Sequence, residues 1–214
     1  MIRKLKRKIL RIAKRLLKNR NVALALFVSI LLLGTFIYTE YMQNKRFVAD
    51  PATYTQLLHL IAKAESKGNY NAYFGNSGNK SVKFTDMSIA DVLKWQSNYV
   101  KQGSPSSAVG RYQILDTTLK GLVKEMKVDT RQRFDQAMQD KMASALIARR
   151  GVEAYVNGEL TREGFAANLA KEWASLPRIT GKNAEDSFYA SDGLNKALVD
   201  VDEVLRAIAP ITHK

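Results

Sequence analysis

Residues 54–73 (YTQLLHLIAKAESKGNYNAY) hold the side chain best placed to do acid–base chemistry, Glu65. Tyr54, Leu57, Leu58, Ile61 and Ala62 recur at i, i+3, i+4, i+7 and i+8, the spacing of one helical face. Glu65 falls on that face, seven residues after Leu58 and eight after Leu57. Gly68 then supplies a helix stop. A carboxylate is thus expected on an inward stripe, in the last turn of a helix. Burial disfavours its anion, and so does the negative end of the helix dipole, so both push its pKa upward. A carboxylic acid that keeps its proton near neutral pH can give it to a leaving group. The same spacing also fits a glutamate that reaches solvent as the helix ends, and spacing alone leaves both readings open.

Other chemistries find little to work with. The histidines His59 and His213 are scattered and there is no cysteine, a pattern that supports neither zinc ligation nor a thiol nucleophile nor disulfides. The acidic residues lack calcium-loop spacing, and neither GxxxxGK nor GxGxxG occurs. No cofactor and no metal is expected.

The elements that must position Glu65 are mostly helices. Residues 68–84 carry three glycines and four asparagines, which suggests turns and a small β-hairpin. A helix is predicted over 86–98, with Ser88 and Asp91 spaced as a capping box. A loop at 103–108 precedes Gly110–Ile114, and another helix follows over 117–127 with Leu119, Leu122, Val123 and Met126 inward. The longest helical pattern runs over 129–157, through Phe134, Ala137, Met138, Met142, Ala145, Leu146 and Ala148, divided by a turn near Gly151. Phe165, Leu169 and Trp173 space a further helix over 161–173, stopped by Pro177. Residues 179–195 read as irregular. Asp200 and Glu203 form a capping box for a last helix over 201–209, ended by Pro210.

Charge is concentrated at the N-terminus. The 214 residues include 34 Lys+Arg and 20 Asp+Glu, a net +14. Residues 1–20 hold ten of the basic residues and no acid, leaving 24 against 20, or +4, for the rest. The globular part is therefore only mildly basic, and no nucleic-acid partner is expected for it. Residues 1–20 read as a basic amphipathic helix suited to an anionic membrane surface, with nucleic-acid phosphates as the weaker alternative. The 17 residues 22–38 (VALALFVSILLLGTFIY) carry no charge and as a helix would span about 26 Å, close to the roughly 30 Å of a hydrocarbon core. Positive charge stays cytoplasmic, which places the following domain outside. A cleaved signal peptide is the rival reading, but no small-x-small site follows the apolar run. The organisation expected is a cytoplasmic segment 1–20, a transmembrane signal anchor 21–39, a linker 40–52, a globular domain 53–209 and a tail 210–214. An extended dozen residues reaches only about 40 Å, so the linker would hold the domain near the bilayer.

Three short motifs, in order, carry a resemblance. They are Glu65-Ser66-x-Gly68-Asn69, then Gly110-Arg111-Tyr112-Gln113-Ile114, then Glu172-Trp173-Ala174-Ser175-Leu176-Pro177. Together they resemble the lysozyme-like superfamily, in particular lytic transglycosylases and the lambda-type phage endolysins. Ser187-Phe188-Tyr189 and Gly193–Ala197 resemble the C-terminal part of phage wall-lytic enzymes, and the resemblance covers about 53–207. It implies a mainly α, lysozyme-like α+β fold with a minimal β-hairpin. It implies cleavage of the β-1,4 bond between N-acetylmuramic acid and N-acetylglucosamine in peptidoglycan, in phage-mediated lysis. Glu65 then matches the catalytic acid and base. Tyr112 and Gln113 match the cleft motif, with core packing as the alternative for Tyr112. Trp173 is either a saccharide-subsite residue or core. Ser66 joins the substrate-binding set, although support of the turn is its nearer role.

A hydrolase would call for a second carboxylate, for which Asp86, Asp91 and Asp116 are the candidates. Asp91 has a capping explanation, and so has Asp116 before the helix at 117. Asp86 is the least explained and is kept as a cleft residue. The expected partners are glycan strands and, through 1–39, the inner membrane, with the catalytic domain periplasmic and open to later release. The alternative reading is a catalytically idle wall-binding or assembly module.

Overall fold

The computed structural model of the chain describes residues 20–49 and 51–211. The basic amphipathic segment expected over 1–20 and the end of the expected tail lie outside the described residues, Arg20 excepted. The chain divides into two units, Met1–Arg46 and Phe47–Lys214.

Helix α1 runs Arg20–Ala49, so the backbone stays helical through 40–49, within the linker expected over 40–52. Large apolar side chains from Phe27 to Tyr38 are exposed. At 100° per residue, Phe27, Val28, Ile30, Leu31, Leu32, Leu33, Phe36 and Ile37 point to every side of the helix, so it has no polar face there. Among the described residues no helix is long and apolar enough to cross a membrane, and the spanning segment expected over 21–39 is therefore without support in the fold.

The second unit is mainly helical, as the residue pattern implies. It contains α2 (Thr55–Ser66), α3 (Ile89–Lys101), α4 (Asp116–Met126), α5 (Gln136–Arg149), α6 (Val152–Val156), α7 (Arg162–Leu169) and α8 (Val201–Ile208). Among the described residues, β structure is confined to isolated bridges, Tyr73 with Asn76 and Val109, and Val109 with Ile114 among them. The small hairpin is thus a tight turn rather than a pair of strands.

Helix α2 is the centre of this unit. Tyr54, Leu57, Leu58, Ile61 and Ala62 are all buried, and full burial of a large aliphatic side chain contributes about 1.5–3 kcal/mol. Its most extensive helix partner is α8, whose start is fixed by the reciprocal Asp200–Glu203 capping box. The C-terminus of α2 closes one residue before the expected glycine. Lys67 (φ +55°) and Gly68 (φ +81°) are both left-handed, and their N–H groups donate back to Lys63 and Ala62 carbonyls. This reversal leaves Glu65 in the final turn.

Several boundaries differ from the sequence reading, each for a local reason. The pattern over 129–157 is not one helix. Residues 129–135 form a turn followed by an antiparallel bridge from Arg133 to Ser88, Asp135 caps α5 by accepting from Met138 N–H, and Ala137 is exposed. Gly151 (φ +98°) separates α5 from α6 as expected. Helix α7 stops at Leu169, so Trp173 lies in the turn beyond it. Asp116 is no cap. Leu115 holds that position, while the Asp116 carboxylate accepts from Ser107 Oγ and Lys120 Nζ.

Candidate active site

A cleft of about 930 Å³ opens beside the C-terminus of α2. Residues of the turn 73–77 and of the segment 105–108 line one part, and residues 172–175 and 189–198 another. Glu65, Gln113, Trp173 and Ser175 all border it.

Glu65 is half-buried. Its Oε1 accepts from Ser175 Oγ at 2.7 Å and from Ser175 N–H at 3.3 Å. Burial raises its pKa and the two Ser175 bonds oppose the rise; burial is the larger effect, so the pKa lies above the ordinary carboxylate value. The carboxyl is thus both reachable from the cleft and reluctant to ionise.

Gln113 lies on a tight turn. Its backbone is left-handed (φ +47°), a conformation that costs a non-glycine residue about 1–3 kcal/mol. Its Nε2 donates to the Gly110 carbonyl at 2.8 Å. Gly110 is left-handed too (φ +78°), and a Cβ there would stand 2.5 Å from Gln139 Oε1. That Oε1 accepts the Arg111 N–H at 2.9 Å, and Gln139 Nε2 donates to the Tyr70 and Phe134 carbonyls. A buried glutamine on α5 therefore holds the turn where only glycine fits.

The structure brings Glu65, Gln113 and Trp173 to one cleft and leaves Tyr112, Ser66 and Asp86 out of its lining. Tyr112 is buried, and its hydroxyl donates to Asp140 Oδ1 at 2.6 Å. Alternation along the turn sends Gln113 to the cleft and Tyr112 to the core. Ser66 is also buried, its Oγ donating to the Arg111 carbonyl at 2.7 Å. Asp86 is exposed in the short turn Phe84–Asp86, and Asp91 accepts from Ser88 Oγ at the start of α3. Trp173 is both things at once, an almost wholly buried ring that borders the cleft and donates from Nε1 to the Tyr112 carbonyl at 3.3 Å.

A family model described as Endolysin matches residues 55–196. The chain belongs to this family. It is therefore a peptidoglycan-cleaving enzyme of cell-wall lysis. No curated protein and no solved structure matches it.

In this endolysin the match begins at α2 and ends within the cleft-lining segment 189–198, so it encloses Glu65 and every residue of the cleft wall but Leu198. Ser175 is the neighbour of Glu65 that residue-by-residue reading missed. Its signal was present in the Trp173–Pro177 motif, but nothing local says which member of that motif meets the carboxyl. Two further carboxylates border the cleft. Glu172 is engaged by Arg150 in an ion pair and in hydrogen bonds from Nε and Nη2. Asp192 is engaged by its own loop, accepting from the N–H groups of Leu194 and Asn195 and from Asn195 Nδ2. These bonds, led by that from Leu194, hold its pKa below the ordinary value. Among the described residues, no three His, Asp or Glu side chains converge where a metal ion could sit.

Proposed function

We propose that this endolysin cleaves the β-1,4 bond between N-acetylmuramic acid and N-acetylglucosamine as a lytic transglycosylase, with Glu65 as general acid and then general base. The observation that carries the reading is the protonation-prone carboxyl of Glu65 at the cleft, held by Ser175. The protonated carboxyl gives its proton to the bridging oxygen. The bond from that oxygen to the muramic C1 breaks, and positive charge develops at C1. The C6 hydroxyl of the same sugar attacks C1 while the Glu65 carboxylate takes its proton. The products are a 1,6-anhydro sugar end and a free N-acetylglucosamine hydroxyl, no water is consumed, and Glu65 is again protonated.

The absence of a disengaged second carboxylate favours this route over hydrolysis. Among the described cleft residues, Glu172 and Asp192 are both committed to other partners. Gln113 is assigned to sugar hydroxyls and amides, and Trp173 to a sugar face at its exposed edge. Mass spectrometry of fragments released from purified walls tests the route. Fragments lighter by one water support it, and fragments with only reducing ends favour a lysozyme-type hydrolysis. Glu65→Gln should abolish release. Clearing at the parent rate would refute Glu65 as the acid and favour an idle wall-binding module.

We further propose that residues 1–39 attach the chain to the inner membrane, N-terminus cytoplasmic and catalytic unit periplasmic, with later release to the periplasm. The exposed apolar side chains of α1 support an apolar surrounding. So do its hydroxyls, since Ser29, Thr35 and Thr39 each donate to a carbonyl of their own helix at 2.8 Å. Fractionation before and after membrane depolarisation tests this: the protein should move from the membrane to the soluble fraction. A chain that is soluble throughout refutes attachment.

A further inference from the structure

Behind the cleft wall lies a polar cluster that the acid–base cycle does not use. The Tyr70 hydroxyl lies 2.9 Å from each Asp140 oxygen, and the Tyr112 hydroxyl donates to Asp140 Oδ1 at 2.6 Å. Arg111 Nη1 donates to the Tyr70 hydroxyl. The guanidinium lies over both rings, 4.7 Å from the Tyr70 centroid and 5.7 Å from that of Tyr112. None of the four residues borders the cleft.

The cluster nevertheless reaches Glu65 by two short routes. The Arg111 carbonyl accepts from Ser66, the residue after Glu65. The Tyr112 carbonyl accepts from Trp173 Nε1, two residues before Ser175, which in turn holds the Glu65 carboxyl. Gln113, the next residue, holds a left-handed conformation. The Arg111–Tyr112 backbone therefore locates the acid from its own helix, its hydrogen-bond donor from the opposite wall, and a polar side chain between them.

We propose that Asp140 is a positioning residue for glycan cleavage. By anchoring the Tyr112 hydroxyl it fixes the backbone on which Glu65, Ser175 and Gln113 are registered. This rests on Glu65 being the acid. A misplaced acid slows the chemical step while leaving the glycan bound, so the loss belongs in kcat rather than in KM.

The test uses the full-length chain with soluble uncrosslinked glycan strands. Asp140→Asn and Tyr112→Phe should each lower kcat by about tenfold or more, with KM within about twofold of the parent. Thermal midpoints should stay within about 4 °C. Because both variants act on one linkage, Asp140→Asn weakening it by loss of the charge and Tyr112→Phe removing it, the double variant should lose no more than the worse single variant. A smaller loss of kcat, a loss confined to KM, or losses that multiply in the double variant would overturn the proposal. Should Asp140→Asn fail to fold, Tyr112→Phe decides by the same kcat and KM criteria. Glu65→Gln run in parallel keeps the two readings apart. Cleavage by that variant removes the acid assignment. Its silence, with Asp140→Asn and Tyr112→Phe near parent rate, removes only the positioning role.

Discussion

At Glu65, burial and hydrogen bonding pull in opposite directions, and burial prevails. A carboxyl whose folded pKa is raised binds its proton more tightly in the native state than in the unfolded chain, so stability falls as pH climbs above the ordinary carboxylate range. Glu65→Gln removes that dependence. The variant should therefore melt at a higher temperature than the parent, and by a larger margin at pH 7 than at pH 4; calorimetry at the two values checks both signs. Catalysis follows the same proton, and the rate should decline on the alkaline side as Glu65 ionises. Ser175→Ala deletes the 2.7 Å bond that favours the anion. The alkaline limb of its kcat/KM profile should lie at higher pH than the parent's, and a limb shifted to lower pH would contradict the assigned role of that bond. Glu65 was legible because helical periodicity is local, and its inward face could be counted from Tyr54. Ser175 was not, because its meeting with Glu65 depends on tertiary packing that no spacing rule encodes.

A reciprocal capping pair and a left-handed glycine were readable punctuation, whereas Asp116 is no cap and Pro177 stands well past the end of α7. The Asp200–Glu203 pair fixed the start of α8, and Gly151 marked the break between α5 and α6. Apolar spacing without punctuation misled. Phe134 fits the stripe of α5 yet precedes its cap at Asp135, and Trp173 fits the stripe of α7 yet lies beyond its end. Burial was expected for Phe134 and was one of two readings for Trp173, and in neither place was the backbone carrying it foreseen. The turn 110–113 makes the sharpest demand on sequence. Ala at Gly110 would combine a left-handed backbone with a Cβ pressed to 2.5 Å from Gln139 Oε1. Gly110→Ala should cost about 2–3 kcal/mol, read as a lower urea midpoint at unchanged slope. Because the same turn presents Gln113, cleavage should fall further than the stability loss accounts for.

The whole molecule pairs a globular unit with a helix that keeps its apolar side chains outside. The globular unit buries its own core, from Tyr54 to Ile211. A chain limited to residues 47–214 should fold and cleave purified walls at a kcat within about twofold of the full chain. The full chain should sediment with anionic lipid vesicles and the shorter one should remain in solution. Equal sedimentation of the two would remove the N-terminal segment as the lipid-seeking part.

The hydroxyl that cradles the Glu65 carboxyl comes from a residue 110 positions further along the chain. Synthesis must pass Ser175, and that part of the polypeptide must clear the ribosome, before the proton donor can be assembled. A nascent chain cut short anywhere between the two residues carries the glutamate but not its setting. Such fragments should be harmless to the wall, so the producing cell is spared damage from incomplete copies of the enzyme.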